Sequence, residues 1–265
     1  MKLRAAAIAL LAVVATILAA PANAEIRPKP GPAVPNDKPF HFARGDHLDI
    51  DEEFPTDSRY GRGRPIYLVG DSQAAQLADG LLRVAKKQDR ALLPRTRAGT
   101  KMVLPARDTS AGRWSGRILA QIQAEQRRPI VVLVGWYQSI PRLRDTIEQL
   151  RDEADAKVLV VTSTPIAEER YNYCVLRAVR DGRAPNRVCR WRMEDRGKGS
   201  SESLTAARQA DVPSLNLLPL VARGRGTHPP VVRSVMVHRN PSHITSTFAR
   251  TVLYKPLLNA VRRAD

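Results

Sequence analysis

Apolar positions along the chain fall into short unbroken runs that alternate with stretches of helical spacing. Residues 66–70 (IYLVG) form such a run ending in Gly, and in the following AAQLADGLLRVAKK the residues Leu77, Leu81 and Ala85 recur at four-residue intervals. This predicts a strand, a tight turn and a helix. The unit repeats: a strand over 90–94 (RALLP), a loop through Gly99, a helix around 114–126, a strand over 130–135 (IVVLVG), a helix around 143–153 and a strand over 157–165 (KVLVVTSTP). Alternating strands and helices predict an α/β fold with a parallel sheet covered on both faces. Beyond it, residues 167–199 are largely polar. A helix around 202–210 leads into PSLNLLPL, expected as the last strand, and after an Arg- and Gly-rich stretch a terminal helix begins near Thr245 or Thr247.

The two ends of this pattern differ from its middle. Lys2 and Arg4 precede an uncharged apolar run from Ala5 to Ala20, then Ala22-Asn23-Ala24 before Glu25, which is the layout of a cleavable signal peptide over residues 1–24. The run is shorter than the roughly 20 residues a spanning helix needs, so cleavage is favoured over an anchor, and no later stretch is long and apolar enough to cross a bilayer. A periplasmic or secreted protein is expected. Residues 25–64, rich in Pro, Gly, Asp and Arg, show neither period and read as a linker or an arm lying on the surface, leaving 65–265 as one domain.

Composition adds two constraints. The chain has only two cysteines, Cys174 and Cys189, and an even pair in an exported protein predicts a disulfide closing one loop rather than a metal site, which would need more ligands at suitable spacing. No metal or cofactor is expected. The formal charge of +17 is spread without a block of like charges. For an exported protein this points away from nucleic acid and towards acidic polysaccharides, lipid headgroups or wall polymers, or else to a solvated basic face.

In an open parallel sheet, ligands bind at the carboxyl ends of the strands, and the turn Gly70-Asp71-Ser72 lies at such an end. Ser72, at the start of a helix where backbone N–H groups favour negative charge, is either a nucleophile or simply that helix's cap. A serine hydroxyl needs a base to take its proton. Of the five histidines, His41, His47, His228, His238 and His243, the last stands just before the terminal helix in HRNPSHITSTFA, where a loop folds back over the strand ends.

These residues resemble the SGNH/GDSL hydrolase family. YLVGDSQA (67–74) resembles its first block, whose GDS turn carries the nucleophile, and Asn240-Pro241-Ser242-His243 resembles its last, D-x-x-H. Between them, VVLVGWYQ with Trp136 and TSTPIAEERYNYC with Cys174 are similar to the SGNH domains fused to bacterial membrane O-acyltransferases, over about residues 64–260. The resemblance implies a three-layer α/β/α sandwich, with Ser72 as nucleophile, His243 as base and Asn240 holding that base. Asp71 would shape the turn, and the N–H groups of Ser72 and Gly99 would form the oxyanion hole. Trp136 would line a substrate pocket or belong to the core.

Two departures from the family pattern matter. The family's Asp is Asn240 here, and an amide offers no negative charge to an imidazolium; in a serine-protease triad such a swap is costly. The Asn that contributes to the oxyanion hole in simpler members is replaced by Gly135-Trp136. The resemblance implies an envelope carbohydrate O-acyl esterase or O-acyltransferase, monomeric, acting on an anionic or acetylated polysaccharide or glycan, with a separate membrane acyltransferase as partner. The alternatives are a simple GDSL esterase or lipase and an inactive SGNH-like domain that binds an anionic glycan.

Overall fold

A computed structural model of the protein describes residues 25–168, 170–192, 199–221 and 227–265; the leader expected over residues 1–24 lies outside them. Among the described residues the main sheet has six strands, all parallel: β1 (His47–Leu48), β2 (Pro65–Gly70), β3 (Ala91–Arg97), β4 (Ile130–Val134), β5 (Lys157–Val161) and β6 (Ser214–Leu215), in the order β1-β3-β2-β4-β5-β6. Every residue of β2, β3 and β4 is buried, as expected of strands with helices on both faces.

Alternation within β2 divides the core. Ile66 and Leu68 face one layer with Leu77, Leu81 and Val84 and with Phe248, Leu257 and Val261 of the last helices. Tyr67 and Val69 face the other with Trp114, Ile118, Leu143, Ile147 and Leu150. The fold is a three-layer α/β/α sandwich. The first layer holds helix α2 (Ala78–Lys87), preceded by the single turn α1 (Ser72–Ala75), and the helices Ser246–Thr251 and Tyr254–Ala264. The second holds α3 (Ser110–Gln123), α4 (Ile140–Ala154) and the helix Ser200–Gln209.

Several elements differ from the periodic pattern. The strand ending at Pro94 in sequence runs on to Arg97. Leu92 N–H faces outward to Tyr60 O at 2.9 Å, so the nitrogen two residues on, Pro94, faces the same edge at a point between the Tyr60 bridge and the start of β1 where no partner needs a donor. PSLNLLPL yields only the two-residue β6 and then a short helix, Leu218–Val221. The polar stretch after residue 167 contains helix α5 (Tyr171–Arg180), whose buried Tyr171, Val175 and Ala178 keep helical spacing among exposed arginines.

The Pro-rich segment supplies the edge strand β1 and is tied across the domain. Phe40 N–H donates to Asp79 Oδ2 (3.0 Å), and Asp37 accepts from the N–H groups of Ser246 and Thr247 at 3.0 Å each. Cys174 and Cys189 form a disulfide that joins α5 to the loop after it, fifteen residues on.

Candidate active site

The sheet order places the chain's reversal at β2: β3 lies on one side of it, and the chain then crosses to β4 on the other. The C-terminal end of β2 is therefore the switch point where doubly wound sheets bind ligands. Gly70, the last residue of β2, has φ +147°, and a Cβ there would lie 1.8 Å from Val134 O, so only glycine fits. The backbone turns directly into Asp71 and Ser72.

Asp71 caps the helical turn, its Oδ1 accepting from Gln73 N–H at 2.8 Å. It also accepts from the N–H of Trp136 and lies near Lys101, whose ammonium donates to Trp136 O at 2.9 Å. Burial raises its pKa above the ordinary carboxylate value, with the backbone N–H groups pulling the other way. Its oxygens are engaged by the backbone that forms the turn. Ser72 is the first residue of α1 and is half-buried.

His243 stands on the second strand of a hairpin, His238–Asn240 paired with His243–Ile244. Asn240 Oδ1 accepts from Ser242 N–H at 3.1 Å and lies 2.9 Å from His243 Nδ1. Since the atom facing Ser242 N–H must be an acceptor, the His243 Nδ1 beside it carries the proton, and Nε2 is left with its lone pair. Nε2 is buried and makes no hydrogen bond, to Ser72 Oγ or to any other described atom. Burial, then Arg239 and His47, push the His243 pKa down to about 4, so the ring is neutral at pH 7.

Two residues that the sequence reading passed over join these pieces. Gln73 Nε2 donates to Ser242 O (2.6 Å), and Gln76 Oε1 accepts from Ile244 N–H (2.8 Å), so the helical turn that begins with Ser72 holds the backbone on both sides of His243. Thr164, beyond β5, completes the set: its N–H and hydroxyl donate to Gln73 Oε1 at 3.0 and 2.9 Å, and its oxygen receives Gln76 Nε2 at 2.9 Å. Both glutamines are at most 2% exposed. Polar residues three apart on the inward face of an Ala- and Leu-rich helix were the signal.

The other sequence-derived residues surround this centre. Gly99 (φ +61°) lies in the turn after β3, and Trp136, half-buried, follows β4; these strands flank β2, with Gly70 paired to Thr96 on one side and Val134 on the other. Beside Trp136 it is Tyr137 that anchors the core, 2% exposed with its hydroxyl donating to Met102 O at 3.1 Å. Behind Gly99, the Thr96 hydroxyl lies 2.9 Å from His47 Nδ1 and 3.3 Å from His41 Nε2. Burial pushes the pKa of His47 to about 4 and that of His41 to about 3.

Residues 41–255 match the model of the SGNH domain (fused to AT3 domains). Among solved structures, the chain is similar to the periplasmic domain of a lipopolysaccharide acetyltransferase from Salmonella ser. Paratyphi A, at 14% identity and a TM-score of 0.58 over 83% of this chain and 87% of that one. It is also similar to an aryl esterase of M. smegmatis (12% identity, TM-score 0.49, 76% and 99% covered). A carbohydrate acetylesterase from Sinorhizobium meliloti gives 11% identity and a TM-score of 0.47 over 76% and 99%. No match is found among curated proteins. With residues 41–255, four-fifths of its length, matched to that model, the chain belongs to the SGNH domain family, in the branch described as fused to AT3 domains.

Proposed function

We propose that this protein is a periplasmic or secreted O-acyl esterase or O-acyltransferase acting on envelope carbohydrate through Ser72 and His243. The supporting observation is the arrangement of Asn240, His243 and the two glutamines of the helix that Ser72 opens. It leaves an unprotonated, buried imidazole nitrogen on a loop fastened to the nucleophile's own turn.

In this reading His243 Nε2 takes the Ser72 hydroxyl proton as Oγ attacks the ester carbonyl, and the negative charge on the former carbonyl oxygen is met by the N–H groups of Ser72 and Gly99. Collapse breaks the bond to the leaving alcohol, which departs with the proton from His243. Water then deacylates the serine in hydrolysis, or an acceptor hydroxyl does so in transfer, with His243 again carrying the proton. Trp136, half-exposed beside the turn, would border the substrate.

Asn240 is the main argument for the rival reading, a glycan-binding domain without turnover. The cost of an amide in a serine-protease triad comes from the wrong tautomer of the histidine. Here Ser242 N–H fixes which end of the amide faces the ring, and it is the oxygen. What Asn240 lacks is charge, which makes a weaker base but not a misdirected one. The family's description as fused to AT3 domains suggests an activated acyl group delivered from a membrane acyltransferase. Among the described residues no helix is long and apolar enough to cross a membrane, and the proposed donor is a membrane acyltransferase partner.

The experiment is turnover of p-nitrophenyl acetate by the wild-type protein and by Ser72→Ala. The variant should retain its thermal midpoint and lose turnover, because the hydroxyl is the only atom that forms the acyl bond. Equal turnover in the purified variant would reject the assignment.

A further inference from the structure

Arg239 sits in the hairpin one residue before Asn240 and is only 6% exposed. Among the described residues its guanidinium makes no hydrogen bond and no ion pair, and Nε is buried without a partner. The Phe42 ring lies 5.8 Å from it, and its charge bears on His47 and His243. Tyr171 and then Asp37 attract it without pairing with it, and the Asp37 carboxylate already accepts from Thr247 N–H. Burial therefore holds its pKa below the ordinary arginine value. A buried cation without a direct ion pair is costly, which favours an anion supplied from outside the chain.

A groove of about 320 Å³ opens at this point. Pro32 and Pro35 of the N-terminal segment, Tyr173 and Leu176 of α5, and Arg239 and Asn240 line it. Its walls are apolar, and Tyr173, 72% exposed, supplies an aromatic ring of the kind that sugars stack on. The disulfide at Cys174 fixes the helix that carries this wall. The groove reaches Asn240, the residue that holds His243.

We propose that Arg239 is the anion-binding residue of a saccharide subsite in this groove, taking the carboxylate or phosphate of an acidic sugar. Its guanidinium is suited to paired hydrogen bonds with two oxygens of such a group. The anion would also cancel part of the charge that depresses the His243 pKa, so an acidic substrate would bring its own stronger base. Placing this subsite beside reacting atoms rests on the acyl-transfer reading; the binding itself does not.

The test is calorimetric binding of methyl glucuronide, glucose 6-phosphate and methyl glucoside to the full chain and to Ser72→Ala, Arg239→Met, Arg239→Lys and the exposed control Arg127→Met. At least one acidic sugar should bind wild type, Ser72→Ala and Arg127→Met alike, and the first two ligands separate carboxylate from phosphate recognition. Arg239→Met should weaken the acidic ligand tenfold or more and leave the neutral one unchanged; Arg239→Lys, which keeps the charge but loses the planar fork, should fall between. If Arg239→Met does not fold, the lysine variant decides. Equal affinities for wild type and both Arg239 variants, equal losses in the Arg239 and Arg127 variants, or no binding of either acidic sugar would overturn the proposal. Acidic-sugar binding without any ester turnover would instead reject the acyl-transfer reading and leave this one standing.

Discussion

Asn240 Oδ1 lies 2.9 Å from His243 Nδ1, and because the same oxygen accepts the Ser242 N–H, the amide can only receive a proton from the ring. In the proposed mechanism a neutral side chain thus does the orienting work of a carboxylate without its charge. Among the described residues Asn240 Nδ2 makes no hydrogen bond, so a carboxylate fits without the loss of a donor. Asn240→Asp should raise the His243 pKa from about 4 and increase the ester rate several-fold, each tenfold corresponding to about 1.4 kcal/mol of barrier. Rate against pH for both forms checks this. An unchanged rate and profile would mean that the Asn240 contact does not tune the base.

The glutamine pair makes a separate prediction. Replacing Gln76 by Leu leaves Ile244 N–H without its acceptor and removes a donor to Thr164 in the buried interior, at about 1–3 kcal/mol per unsatisfied group. The loop carrying His243 would shift, and because small misplacements of reacting groups are costly, kcat should fall between about ten- and a hundredfold with KM little changed. Gln76→Glu keeps an acceptor for Ile244 and should restore part of kcat. Equal effects on kcat and KM in both variants would reduce Gln76 to a stability role.

With His243 as the proposed base, its depressed pKa also sets the acid limb expected of the rate. A general base acts when neutral, that is, above its pKa, and here that value is about 4 rather than the usual 6.5. The log of kcat/KM should therefore rise with pH through about 4 and be level by about 6. A limb centred near 6.5 in protein that remains folded would show that His243 is more solvated than the structure has it.

How much of this was legible in the sequence depends on which signal carried each part. The strand, turn and helix around Ser72 were readable because the apolar runs are unbroken and Gly70 has no substitute at a turn that closes on Val134 O. The disulfide followed from the number of cysteines and the expected leader. The edge strand His47–Leu48 was not visible, since two residues have no period, and α5 was hidden by the arginines around Tyr171, Val175 and Ala178. The Gln73, Gln76 and Thr164 network joins residues up to 169 positions apart in sequence, through side chains that no local pattern marks as partners. Nothing in the local sequence sets Arg239 apart from the exposed arginines, because its burial comes from tertiary packing.

The central claim, that Ser72 is a nucleophile activated by His243, is tested most directly by a fluorophosphonate, which phosphonylates only an activated serine. Peptide mapping by mass spectrometry after labelling should place the adduct on Ser72, and folded Ser72→Ala should give none. His243→Ala should slow labelling by at least about a hundredfold, within the range general-base catalysis supplies. Folded wild-type protein that remains unlabelled, or labelling at Ser72 that is as fast without His243 as with it, would contradict the account.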